Sequence, residues 1–102
     1  MRTSPSIAPY GPEQDSYFVL DDFGWIGRAW RETDAGAADR ETLISNLLSG
    51  EYNEPIRIVA FNTAEGWSRD VTVDIADELR RRLAERHEIP QAVLDFLFAN
   101  RR

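Results

Sequence analysis

The sequence predicts a small two-layer α+β domain of order ββαβαα, a three-stranded, mostly antiparallel sheet with helices packed mainly on one face. Three observations predict it. Ile56 to Phe61 are apolar or β-branched except for Arg57, and Pro55 stands at the end where a strand tolerates proline. Residues 17–33 hold two β-rich runs that meet near Asp22-Phe23-Gly24. Three further segments repeat apolar residues at helical spacing.

Residues 1–16, MRTSPSIAPYGPEQDS, hold three prolines and a glycine with no period, and are expected to form a flexible N-terminal tail to a single domain over residues 17–102. The hairpin follows, with strands at about 17–22 and 25–33. Tyr17, Phe18, Val19 and Leu20 are apolar in succession and so on both faces, which is the pattern of a central strand. The second strand mixes Trp25, Ile26, Ala29 and Trp30 with Arg28, Arg31 and Glu32, the pattern of an edge blunted by charge.

In DRETLISNLLSG, Leu43, Ile44, Leu47 and Leu48 form one helical stripe, with Asp39 placed to cap the start and Gly50 to close the end in a left-handed turn. Beyond the strand at 56–61, a polar loop leads to a second helix expected from Ser68 or Asp70 to about Glu88. Val71, Ile75, Leu79 and Leu83 face the core, and Ser68 serves as N-cap. Asp70, Asp74, Asp77 and Glu78 occupy its first half and Arg80, Arg81, Arg82 and Arg86 its second, an order that suits the helix dipole. Asp77 to Arg81 and Glu78 to Arg82 have the spacing of ion pairs within a helix. Pro90 opens a third helix over Gln91 to Asn100, apolar nearly all round and so expected to be buried all round. The expected strand order is 2-1-3 with the Tyr17 strand central, parallel pairing of strands two and three being the alternative.

Charge narrows the partners. The first 54 residues carry four arginines against ten carboxylates and the remainder eight against eight, so the whole formal charge of −6 lies in the first half. Nucleic acid is not an expected partner, because there is no basic footprint to displace counterions. Without an apolar leader core or a run of roughly 18 apolar residues, the expectation is a cytoplasmic protein with no membrane contact. All twelve basic residues are arginine.

The chemistry available is limited. There is no cysteine and one histidine, which argues against zinc; no metal, cofactor or catalytic residue is expected. Asp22-Phe23-Gly24 spells a magnesium motif of protein kinases, yet a chain without lysine lacks its companions. Gly66-Trp67-Ser68-Arg69-Asp70 lacks the closing glycine of a nucleophile elbow, and His87 would stand ~28 Å along the predicted helix from Ser68.

Two functional classes follow. The first is a non-catalytic interaction protein, a regulator or adaptor, that forms a homodimer or binds another protein through Trp25, Trp30, Val93, Phe96, Leu97 and Phe98. Its basis is three Trp, three Tyr and five Phe in 102 residues, more than one helical layer covers. Phe96 and Phe98, two positions apart, must point to different sides of their helix. The second is a small-ligand-binding domain or minor enzyme that takes a small-molecule anion at Asn62, Thr63, Glu65, Ser68 and Arg69, where a strand is expected to feed the free amides of a helix.

Overall fold

The computed structural model describes residues 15–32 and 40–101. Its elements are Ser16–Asp22 (β1), a 3-10 turn at Gly24–Ile26, Arg28–Glu32 (β2), Arg40–Leu48 (α1), Pro55–Asn62 (β3), Trp67–Asp70 (β4), Thr72–Leu83 (α2) and Gln91–Ala99 (α3). The class is α+β with three helices and an antiparallel sheet. Among the described residues the sheet has four strands rather than three, in the order β2-β1-β3-β4. The expected order 2-1-3 therefore survives as part of a larger sheet, and the parallel alternative does not. The tail expected at residues 1–16 lies outside the described residues apart from Asp15 and Ser16, the latter already in β1; Asp39, the expected cap of α1, lies outside them too.

The added strand corrects the largest error of the sequence reading. Residues 67–70 are not the mouth of a helix. They fold back on β3, with Phe61 opposite Ser68 and Asn62 opposite Trp67, through a four-residue turn in which Gly66 takes φ +75°. Ser68 is thus a strand residue and caps nothing. The helix starts at Thr72, and Asp70 Oδ1 accepts the Thr72 amide at 2.8 Å. Thr72 is fully buried, and its hydroxyl accepts a 2.9 Å hydrogen bond from the Ile58 amide. One side chain therefore joins the first turn of α2 to β3.

Further boundaries shift for local reasons. Trp25 sits in the 3-10 turn, not in β2, because Phe23 and Gly27 close that turn through a backbone bond of 2.8 Å. Helix α2 ends at Leu83 rather than near Glu88, and His87 lies exposed beyond it. Gly50 ends α1 with φ +81°, as expected.

Burial alternates along the sheet. Tyr17 and Val19 of β1 and Ile58 and Ala60 of β3 point into the core with Leu43, Ile44 and Leu47 of α1, Ile75, Ala76 and Leu79 of α2, and Val93 and Phe96 of α3. The helices cover that face. β1 is central, but only one of its faces lies in this core.

Asp21, on the core side of β1, is completely buried. Its carboxylate accepts the amides of Asn53 at 2.9 Å and Glu54 at 2.6 Å and a bond from Arg31 Nη1 at 2.8 Å. Arg31 also donates to the Glu51 carbonyl and lies over the Tyr52 ring. This network fixes the connection from α1 into β3.

Candidate functional site

The sheet face away from the helices carries a row of apolar side chains. On β2, Trp30 stands opposite Leu20; on β1, Phe18 stands opposite Val59 of β3 and stacks on Phe61, ring centroids 4.8 Å apart and planes 16° apart. Trp30 at the sheet edge is 52 % exposed, while Phe18, Leu20, Val59 and Phe61 are half-buried. Charged pairs rim the row, Arg28 with Asp22 at 3.6 Å and Arg57 with Asp70 at 3.8 Å. An apolar centre with a polar rim is the anatomy of a contact surface. The run of four apolar residues at 17–20, which puts apolar side chains on both faces of the strand, was the available signal; among the described residues the helices cover only one of those faces.

The other proposed interface residues divide. Val93, Phe96 and Leu97 are buried within this chain, so their side chains serve the core. Phe98 is 69 % exposed, with Leu94 also exposed one turn earlier, so α3 is not buried all round. Arg101 lies over the Phe98 ring at 4.2 Å. Trp25 and Ile26, in the turn, are 95 % and 73 % exposed. A cleft of about 220 Å³, lined by Asp22 and Arg28 on one side and Asp95 and Ala99 on the other, sets the hairpin end beside α3.

The residues singled out at 62–69 close a hairpin. Asn62 is buried, and its Oδ1 accepts the Glu65 amide at 2.9 Å. Glu65 accepts a bond from Trp67 Nε1 at 2.8 Å, and Arg69 lies over the Trp67 ring at 5.4 Å. Thr63 is exposed on the turn, and Ser68 projects to the open face opposite Phe61. Arg69 does line a groove of about 440 Å³ with Arg40 and Arg81, but Asp15, Asp74 and Asp77 line it as well. No free helix amides converge on the loop, because it joins two strands.

The charged face of α2 is paired within itself and with α1. Arg82 reaches both oxygens of Glu41 on α1 and bonds Glu78 at 2.8 Å, and Arg81 bonds Glu78 from the other side. Hydrogen bonds from Arg82 and then Arg81 pull the Glu78 carboxyl down to about 2, and the Arg82 bond lowers that of Glu41. Asp77 is joined to Arg80 at 3.1 Å. Among the described residues there is no cluster of three or more His, Cys, Asp or Glu arranged to hold a metal ion, and no helix is long and apolar enough to cross a membrane.

No family model, curated protein or solved structure matches this chain.

Proposed function

We propose that this chain is a non-catalytic cytoplasmic protein, a regulator or adaptor, that works by presenting an apolar surface to protein, first of all to a second copy of itself. The observation that carries this is the open sheet face, where Trp30, Leu20, Phe18 and Phe61 form a continuous row with no helix over it among the described residues. Trp25 and Phe98 extend the exposed aromatic surface at the hairpin end and on α3. Interfaces draw most of their energy from a few such aromatic anchors. The test is sedimentation of the wild type from micromolar to several hundred micromolar, beside Trp25→Ser, Trp30→Ser and Phe98→Ser. A concentration-dependent dimer weakened about 30-fold by at least one substitution is expected. A wild type monomeric throughout, and silent in pull-downs that the substitutions leave unchanged, would sink the proposal.

A small-molecule anion at residues 62–69 is the second proposal, supported by Arg69 alone of those residues, which lines a groove together with Arg40 and Arg81. It ranks second because three aspartates share that groove. Inorganic phosphate in the millimolar range should raise the melting temperature, and Arg69→Ala should remove the shift.

A further inference from the structure

Strand β2 lies at an edge of the sheet, and among the described residues nothing pairs with its outer side. Its hydrogen-bonding direction is determined by the hairpin. The Phe23 amide bonds the Gly27 carbonyl, and Phe23 stands opposite Gly27 when the register Asp22 to Arg28, Asp21 to Ala29 is continued. In an antiparallel ladder, bonded and non-bonded pairs alternate. Ala29 and Arg31 therefore bond inward to β1, while the backbone N–H and C=O groups of Arg28, Trp30 and Glu32 point off the sheet.

The sequence of that edge, Arg28-Ala29-Trp30-Arg31-Glu32, is complementary to its own reverse. We propose that the protein forms a two-fold dimer by antiparallel pairing of β2 with β2 of a second copy, centred on Trp30. The inference rests on the self-association proposed above and names the surface that performs it. With Trp30 opposite Trp30 of the partner subunit, Arg28 stands opposite Glu32 of the partner subunit, and symmetry repeats the pair. All three outward-pointing residues then exchange backbone hydrogen bonds. Sliding the strands by two positions, the smallest shift that keeps bonded residues opposed, sets Trp30 against a charge and leaves fewer pairs.

Side-chain directions agree with this register. Arg28, Trp30 and Glu32 lie on the open face, so the two apolar rows would join across Trp30 into one surface on an eight-stranded sheet. Glu32 has no ion-pair partner among the described residues, and Arg28 holds Asp22 only at 3.6 Å with most of its side chain exposed. On the helix face, Ala29 falls opposite Arg31 of the partner subunit, a small residue facing a long one. Charges on an edge strand ordinarily discourage pairing. Here they discourage every register but one.

The test is charge exchange, read by sedimentation velocity, with circular dichroism to verify folding. Arg28→Glu and Glu32→Arg each turn both symmetric pairs from attraction to repulsion, and each should raise the dimer dissociation constant about tenfold or more. An equimolar mixture of the two variants restores both pairs and should recover the dimer. If Arg28→Glu disturbs the hairpin through Asp22, Glu32→Arg decides alone, together with Trp30→Pro, which deletes the central outward amide and leaves the bonds to β1. A wild-type dimer that all these changes leave intact would overturn the β2 pairing and leave self-association to another surface. Variants that dissociate without recovering on mixing would overturn the register. A wild type monomeric at several hundred micromolar would defeat the self-association and this pairing with it.

Discussion

Asp21 and Arg31 meet at 2.8 Å on the core side of the β1–β2 hairpin, the carboxylate wholly buried and the guanidinium partly in solvent. The pair is useful because two backbone amides, of Asn53 and Glu54, share the same carboxylate. Asp21→Ala would leave both amides without their acceptor and take from Arg31 its buried carboxylate partner, the Glu51 carbonyl remaining to it. A loss of about 3 kcal/mol in urea unfolding is expected. A loss under about 1 kcal/mol would show that water replaces the carboxylate with little penalty.

Thr72 yields a sharper comparison. Thr72→Val preserves shape but removes the acceptor of the buried Ile58 amide, at an expected cost of about 2 kcal/mol. Ser68→Ala, on an exposed strand position, should change stability by less than about 0.5 kcal/mol. If Ser68 capped the helix, its replacement would cost about 1 kcal/mol. Urea titrations of both variants therefore check the start of α2 independently.

Acid should weaken the fold through Glu78. Its folded-state carboxyl titrates at about 2 instead of the ordinary 4.5, so the unfolded chain binds the proton more readily. Its contribution to stability is present above pH 4.5, declines as pH falls from 4.5 towards 2, and is absent below. Glu78→Gln should flatten the stability profile over that window. An unchanged acid limb would mean that other carboxylates govern it.

The two phenylalanines of α3 should separate cleanly. Phe96 is buried and Phe98 is 69 % exposed. Phe96→Ala should cost about 3–4 kcal/mol, whereas Phe98→Asp should leave a folded chain within about 0.5 kcal/mol of wild type. Thermal unfolding of both checks the orientation of the helix.

Much of this fold was legible because its elements carry strong local signals. The Leu43-Ile44-Leu47-Leu48 stripe, the β3 run and the proline before α3 each specify type and position within a residue or two. The charges of β2 marked an edge, and among the described residues it is one. Residues 67–70 misled because Trp-Ser-Arg-Asp is too short to display alternation, and serine before a helical stripe imitates a cap. What makes them a strand is Gly66 at positive φ and the length of β3 beside them. Asp21 escaped notice because it precedes Asp22 in a turn-like context, and only the fold brings the amides of residues 53 and 54 against it. The candidate surface was half legible. Trp25 and Trp30 were expected at a surface and Phe96 and Phe98 on different sides of α3, without a sign of which faces out, and the stack of Phe18 on Phe61 joins strands whose mutual register no local pattern encodes.

That register makes folding a question of timing. Each half of the sheet is a hairpin that closes within a few residues, β1 on β2 through the 3-10 turn and β3 on β4 through residues 63–66. The halves meet along a single seam, where Tyr17 pairs with Ala60 roughly forty residues away, and the chain must lose the entropy of that loop before the seam returns any energy. Val19 and Ile58 face each other on the core side of this seam. Shortening either to alanine should slow refolding in stopped-flow experiments, whereas Leu97→Ala, at the end of the last helix, should act chiefly by speeding unfolding.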